Sequence, residues 1–115
     1  MEKFTFKYKG KKFTLEVKKL SLFGKFVGLM FSSQRNAKPL LFEFKNSEKM
    51  AFTGLFVFFP FMILWLDKKN NVLDARKIKP FKWHIPMRKS YFKVLEIPFN
   101  GNYEKILHSL VVGKI

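Results

Sequence analysis

The chain opens on two segments in which apolar and polar residues alternate. Residues 3–9 alternate aromatic side chains with lysine and threonine, and residues 12–18 repeat the alternation after Gly10. A period of two is that of a strand with one buried face, and a glycine between two such runs is typical of a hairpin. The pattern therefore predicts an amphipathic hairpin over residues 3–18, with one apolar face and one face of lysine and threonine.

The spacing of apolar residues changes after the hairpin. Between residues 20 and 30 they recur at intervals of three and four, which is the period of a helix, and Ser21 can cap its start. Asn102 can cap another helix that runs through His108. The pattern predicts two short helices, one after the hairpin and one near the end of the chain.

Apolar runs between charged or turn-forming residues predict the remaining strands. They are residues 40–44, two buried strands within 50–66 that break near Pro60, residues 72–78, residues 91–97, and a short closing strand at 110–112. The segments 45–49, 67–71 and 79–89 are predicted as loops, the second of them as a hairpin turn. The prediction is one domain over residues 1–115, mainly β (α+β): a small antiparallel half-open barrel or sandwich with two short helices.

Residues 50–66 carry no charge and approach the length of a membrane-spanning helix. Gly54, Pro60 and the density of phenylalanine and valine favour two buried strands instead, because proline and glycine interrupt elements and these side chains prefer sheets. No membrane span is predicted.

Composition predicts an aromatic core and a cellular location. Hydrophobic residues make up 48% of the chain and 16 residues are phenylalanine, whose rings pack well between sheet faces. The absence of cysteine fits a reducing compartment, and the first ten residues lack the apolar run of a signal peptide, so a cytoplasmic protein is predicted. The predicted core contains Phe4, Phe6, Phe13, Leu15, Leu29, Phe42, Phe44, Ile63, Trp65, Val94 and Leu95.

Several short segments follow one another in an order that matches a known family. Residues 27–31 read Val-Gly-Leu-Met-Phe, residues 60–67 read Pro-Phe-Met-Ile-Leu-Trp-Leu-Asp, and residues 94–97 read Val-Leu-Glu-Ile. In this order the chain resembles, over roughly residues 20–115, the family catalogued as domain of unknown function 192. The resemblance implies a compact β-rich fold with short helices, and it implies no reaction, because the family's activity is unassigned.

The chain departs from the family at its polar positions. By this resemblance, family members usually carry a Met-Lys-Asn-Thr stretch before the proline, where this chain has Gly54, Leu55, Phe56 and Val57. They also carry an aspartate two residues after the proline, where this chain has Met62. If those polar residues form a family site, this chain does not keep it.

Motifs for common catalytic chemistry are missing. The two histidines, His84 and His108, are far apart in sequence and neither has a second ligand three or four residues away, so no metal site is predicted. No cysteine, Gly-x-Ser-x-Gly turn or phosphate-cradling glycine loop occurs either. The chain is therefore predicted to be no enzyme and to need no cofactor.

Two carboxylates, Glu43 and Glu96, lie in strongly apolar strands. One hypothesis places them in a cleft that binds a small ligand, because acid–base chemistry needs carboxylates with perturbed pKa values in one site. The favoured hypothesis is that both point outward and pair with Lys45 and Lys93.

Positive charge is the strongest functional indication. Lysine and arginine number 23 against 8 acidic residues, giving a net charge of +15, and such a field attracts nucleic acid or another polyanion. Basic residues concentrate on the hairpin, and again in a second group at Lys68, Lys69, Arg76, Lys77, Lys79, Lys82, Arg88, Lys89 and Lys93. In the second group Phe81, Trp83 and Tyr91 interleave with the charges.

Lysine neutralises phosphate and exposed rings stack on bases, so the second basic group predicts a single-strand binding surface. The residues assigned to it are Lys79, Lys82, Trp83, Arg88 and Lys89. Two alternatives stay open. The lysines are a solvated, aggregation-blocking surface, or the chain is a protein-interaction or self-associating subunit that uses Phe56, Phe58, Phe59 and Phe61.

Overall fold

The computed structural model describes residues 2–20, 37–48, 59–82, 84–87 and 89–112. These residues form six strands, a short 3-10 turn and one α-helix. In chain order the elements are β1 (Glu2–Tyr8), β2 (Lys11–Leu20), β3 (Leu40–Glu48), β4 (Phe61–Leu66), β5 (Val72–Ile78), β6 (Tyr91–Pro98), the 3-10 turn (Gly101–Tyr103) and α1 (Glu104–Val112).

The strands form one sheet in the order β1-β2-β3-β6-β4-β5. Every neighbouring pair is antiparallel except β2 and β3, which are parallel. The two outermost strands approach each other, since the Lys7 N–H donates to the Asn70 carbonyl at 2.9 Å and Lys7 bridges Asn71. The sheet therefore curls into the half-open barrel predicted from the sequence.

The predicted amino-terminal hairpin is confirmed, with its turn at Gly10. Phe4 lies opposite Leu15 and Phe6 opposite Phe13, so the apolar side chains share one face. Lys9 and Gly10 connect the strands with φ values of 50° and 78°. Two successive residues with positive φ give a turn whose twist matches that of the strands, and Gly10 adopts this conformation without strain.

The concave side of the sheet encloses an inner core. It contains Phe4, Phe6, Val17, Leu41, Met62, Leu64, Leu66, Ala75, Leu95 and Ile97, together with Leu107 and Leu110 of α1. Because α1 follows the carboxyl end of β6, its apolar side chains close that end of the half-barrel. The inner core thus joins the hairpin, the central strands and the helix.

The convex side of β3, β6, β4 and β5 is also buried and forms an outer core. It contains Ala37, Leu40, Phe42, Phe59, Phe61, Ile63, Trp65, Ile78, Ile85, Met87, Tyr91 and Val94. All six residues of β4 are consequently buried. Because β4 has no face toward solvent, apolar side chains are favoured at each of its positions, and Phe61–Leu66 carries no charge.

The edge strand β5 carries a side-chain contact to its own backbone. Asp74 Oδ1 accepts a hydrogen bond from the Ala75 N–H at 2.9 Å, and Asp74 Oδ2 lies 2.8 Å from Arg76 Nε. The Ala75 amide on this edge strand is therefore occupied by its neighbour's carboxylate.

Three boundaries differ from the predictions. Residues 45–48 were predicted as a loop but continue β3 to Glu48, which pairs with Tyr91 of β6 after a register shift. The predicted closing strand at 110–112 is the last turn of α1, since Leu107 and Leu110 share a helical face. Asn102, predicted to cap the helix, lies inside the 3-10 turn, and that turn is capped by Asn100, whose Oδ1 accepts from the Asn102 N–H.

The core prediction is largely confirmed. Phe4, Phe6, Phe42, Ile63, Trp65, Val94 and Leu95 are buried, whereas Phe13, Leu15 and Phe44 are partly buried. Leu29, the first predicted helix beyond residue 20 and the predicted strand within 50–58 lie outside the described residues. Within the described part of the chain, no helix has the length and apolarity to cross a membrane.

Candidate functional site

The predicted single-strand site falls on the loop that joins β5 to β6, residues 79–89. Lys79, Lys82 and Lys89 are exposed there, as predicted. Trp83 and Arg88 lie outside the described residues. The three described lysines of the site therefore face solvent on one continuous segment.

Phe81 is an exposed aromatic side chain in the described part of this loop. Its exposed fraction is 55%, and among the described residues it is the large apolar side chain left exposed. Its φ of 63° is in the left-handed region, which is costly for a bulky residue and is found where surrounding structure enforces it. Sequence reasoning assigned the stacking role to Trp83, although Phe81 lies directly between Lys79 and Lys82.

Contacts on the far side of the loop hold it against the outer core. Ile85 and Met87 are buried, and Arg76 Nη1 donates to the Pro86 carbonyl at 2.6 Å. The Arg76 guanidinium also lies 4.6 Å from the centre of the Trp65 ring. The loop thus has an anchored half around residues 85–87 and an exposed half around Phe81.

Tyr91 does not belong to the exposed surface. It begins β6, is completely buried, and its ring meets that of Phe44 edge-on at 5.8 Å. The sequence prediction that Tyr91 interleaves with surface charges is therefore wrong, because strand alternation turns this ring into the outer core.

A second basic surface lies on the outward face of the hairpin. Lys7 is directly opposite Lys12 in the register, and both are exposed. The turn between β4 and β5 packs on β1, where Asn70 Nδ2 donates to the Thr5 carbonyl at 3.1 Å. That contact brings exposed Lys68 and Lys69 to the hairpin. We name this the hairpin lysine surface: Lys3, Lys7, Lys12, Lys68 and Lys69.

Asp67 fixes the turn that carries two of these lysines. Its Oδ1 accepts hydrogen bonds from the Lys69 N–H at 2.8 Å and the Asn71 N–H at 2.9 Å, and its Oδ2 accepts from Asn71 Nδ2. Partial burial acts to raise the pKa of Asp67, but these hydrogen bonds outweigh burial and hold the pKa below its ordinary value.

Glu43 belongs to an ion-pair network at the end of the half-barrel opposite α1. Lys19 Nζ lies 2.8 Å from Glu43 Oε1 and 3.2 Å from Glu2 Oε2. Lys93 Nζ lies 3.6 Å from Glu43 Oε2 and donates to Asn70 Oδ1 at 2.6 Å. Burial opposes the ionised form, yet the two lysines together lower the pKa of Glu43. Glu43 therefore pairs with lysines of the neighbouring strands β2 and β6, whereas the side chain of Lys45, its predicted partner on the same strand, is outside the described part of the chain.

Glu96 does not pair outward, so the favoured hypothesis is wrong for this residue. Only 4% of it is exposed, and it lies on the outer-core face of β6 between Leu40 and Ile63. Lys93 is three positions away and therefore on the opposite face of the strand. No described side chain hydrogen-bonds to the Glu96 carboxyl, and burial raises its pKa to about 8.

Trp65 is the second buried polar group of the outer core. Its Nε1 has no hydrogen-bond acceptor among the described residues and no contact with solvent. In the register Trp65 lies opposite Val94, two positions before Glu96 on the same face. The outer core therefore contains a carboxyl and an indole N–H on neighbouring strands.

The Phe-rich segment is in part core. Phe59 and Phe61 are buried, so they do not form the exposed patch proposed for a protein partner. Phe56 and Phe58 lie outside the described residues.

In the described part of the chain, no three histidine or acidic side chains come together as a metal site would require.

A family model described as uncharacterized ACR, the model for domain of unknown function 192, matches residues 4–106. The chain belongs to this family. No curated protein matches the chain.

Two solved structures share the fold of this family member. One is a protein of unknown function from Novosphingobium aromaticivorans, with a TM-score of 0.71 and 15% identity, covering 90% of this chain and 76% of that chain. The other is described as a candidate transcription regulator from Sinorhizobium meliloti, with a TM-score of 0.74 and 18% identity, covering 90% of this chain and 83% of that chain.

The position where the family resemblance implies an aspartate lies on β4. Met62, which occupies it here, is fully buried in the inner core on β4. A methionine there packs against apolar neighbours and offers no ionisable group. At the position where the resemblance implies an aspartate, this chain therefore has a core side chain.

The described residues also form a surface cleft of about 500 Å³ where the end of β5 meets α1. Its lining includes Lys77, Phe99, Glu104, Leu107 and His108. Neither Glu43 nor Glu96 lines this cleft, so the structure does not join the two carboxylates of the small-ligand hypothesis there.

Proposed function

We propose that this chain is a non-enzymatic protein that binds single-stranded nucleic acid through the exposed half of loop 79–89. The observation that carries the proposal is Phe81, more than half exposed and flanked by Lys79 and Lys82. An exposed phenylalanine ring beside lysines offers a flat apolar face on which a base can stack while the lysines attract the phosphates.

A single strand fits this combination of groups. Its bases are available for stacking on a ring, and its phosphates are available to lysine, which neutralises them without reading sequence. A duplex hides the flat faces of its bases, so the ring favours single strands. The scarcity of arginine, three residues in the chain, favours backbone attraction over base-specific contacts.

The hairpin lysine surface extends the path for a phosphate backbone. Like charges directly opposite each other destabilise a strand pair, as Lys7 and Lys12 do here. None of its five lysines has a salt bridge to a described carboxylate. An arrangement that costs stability in the free protein is consistent with binding a polyanion. The structural neighbour from Sinorhizobium meliloti is described as a candidate transcription regulator, and a nucleic-acid-binding function of this chain is compatible with that description.

The test is fluorescence anisotropy with labelled single-stranded and double-stranded DNA and RNA across a salt series. We expect the affinity for single strands to fall steeply with salt, with a slope that reflects several phosphate contacts. Phe81→Ala should weaken binding about tenfold or more at constant salt, because stacking of one base contributes about 1–3 kcal/mol.

Charge variants separate the loop from net charge. Replacing Lys79 and Lys82 together by alanine should weaken binding and reduce the salt slope by about two. The control replaces Lys38 and Lys105, which are exposed outside the loop, and removes the same charge. Equal losses in the two double variants, or no binding at low salt, would contradict the proposal.

A further inference from the structure

The cleft between β5 and α1 has the dimensions of a small-molecule site. Its volume of about 500 Å³ falls within the range of ligand pockets, about 300–1,000 Å³. Leu107 and the partly buried ring of Phe99 give it an apolar floor. Gly101 adds no side chain at its rim, where a Cβ atom would meet nothing within 4 Å. The cleft is therefore open to solvent and has an apolar base.

Opposite charges stand on the two walls of this cleft. Lys77 projects from β5, and its Nζ lies 4.7 Å from the centre of the Phe99 ring, so the ammonium group is held over the floor. Glu104 projects from the first turn of α1, with His108 one turn later on the same side of the helix. Neither Lys77 nor Glu104 forms a salt bridge with a described residue.

The wall beside α1 is fixed by hydrogen bonds. Asn100 Oδ1 accepts from the Asn102 N–H at 3.0 Å, and Asn100 Nδ2 donates to the Ala37 carbonyl at 3.2 Å. These bonds tie the 3-10 turn both to itself and to the segment before β3. Glu104 follows this turn directly, so its backbone position is set before any ligand arrives.

We propose that this cleft binds a small zwitterion with an apolar side group, an α-amino acid in the simplest case. The carboxylate of the ligand meets Lys77, its ammonium group meets Glu104, and its side group packs on Phe99 and Leu107. A ligand with only a negative charge would be repelled by Glu104, and one with only a positive charge would be repelled by Lys77. A ligand that carries both charges can pair with both residues. This site is independent of loop 79–89.

The test compares three probes that differ by one charged group. L-Phenylalanine carries both groups, hydrocinnamate lacks the ammonium group, and phenethylamine lacks the carboxylate. In an ¹H–¹⁵N NMR titration to millimolar concentration, we expect saturable shifts from L-phenylalanine, confined to residues around Lys77 and 99–108. Each of the other two probes should bind about tenfold more weakly, because each loses one charge-assisted hydrogen bond.

A matched pair of variants assigns the ammonium contact. Glu104→Gln keeps the shape of an exposed side chain and should abolish the preference for L-phenylalanine over hydrocinnamate. Lys105→Gln changes the neighbouring exposed residue, which does not line the cleft, and should leave the preference unchanged. Absence of saturable shifts, equal binding of hydrocinnamate, or a preference that survives Glu104→Gln would each overturn the proposal.

Discussion

At the scale of single residues, Glu96 is the group whose environment departs furthest from that of a free side chain. It is buried among apolar side chains of the outer core, and burial alone raises its pKa from 4.5 to about 8. At neutral pH the carboxyl is therefore protonated in the folded protein. An unfolded chain exposes the same carboxyl to water, where it ionises near pH 4.5.

This difference makes stability depend on pH with a definite sign. Between about pH 5 and pH 8 the unfolded chain has lost the Glu96 proton and the folded chain retains it, so rising pH favours unfolding by about 1.4 kcal/mol per pH unit. Above the folded pKa the slope disappears. In urea denaturation across this range, Glu96→Gln should therefore gain stability over the natural protein progressively as pH rises.

Glu43→Gln provides the matched control. The pKa of Glu43 is lowered in the folded protein, so its contribution is present above the unfolded pKa and is lost only as pH falls through the folded value. Its difference from the natural protein should therefore be flat between about pH 5 and pH 8. A flat difference for Glu96→Gln as well would show that Glu96 is ionised in the folded protein.

At the scale of elements, the hairpin combines a well-specified fold with an unfavourable charge pattern. Its inner face packs Phe6 on Phe13, with ring centres 5.4 Å apart, and a hydrogen bond of 2.7 Å joins Thr5 to Thr14 on the outer face. Lys7 and Lys12 oppose each other beside that threonine pair. Apolar packing thus stabilises the hairpin against the repulsion on its other side.

Reversing one of these charges should separate stability from binding. In Lys12→Glu an opposite-charge pair replaces the repulsion, which should stabilise the protein by roughly 0.2–1 kcal/mol in thermal or urea unfolding. The same substitution should weaken single-strand binding more than Lys38→Glu, which makes an identical change of net charge outside the hairpin lysine surface. Equal affinities for the two variants would confine nucleic-acid binding to loop 79–89.

At the scale of the whole molecule, the sequence is sufficient to predict elements that have one apolar and one polar face. It is not sufficient where the burial of a residue depends on contacts with residues far away in the chain. Alternation was sufficient for the hairpin, and turn residues located the connection between β4 and β5. Alternation could not show that the outward face of β6 is covered, so Glu96 was expected in solvent. Likewise, the exposure of Phe81 depends on how the loop anchors through Ile85 and Met87, which no local pattern encodes.

Carboxylate protection of β5 has a consequence for how the protein behaves in crowded solution. Unpaired edge amides are the groups through which sheets of separate molecules join into fibrils. On the edge strand β5, Asp74 accepts from the Ala75 N–H and, with Arg76, forms a charge pair. We expect Asp74→Ala to lower colloidal stability, which would be seen as concentration-dependent light scattering. Asp74→Asn keeps an acceptor oxygen and should therefore scatter less than Asp74→Ala. The charge pair of Asp74 and Arg76 is thus expected to oppose fibril growth from the β5 edge of this phenylalanine-rich chain.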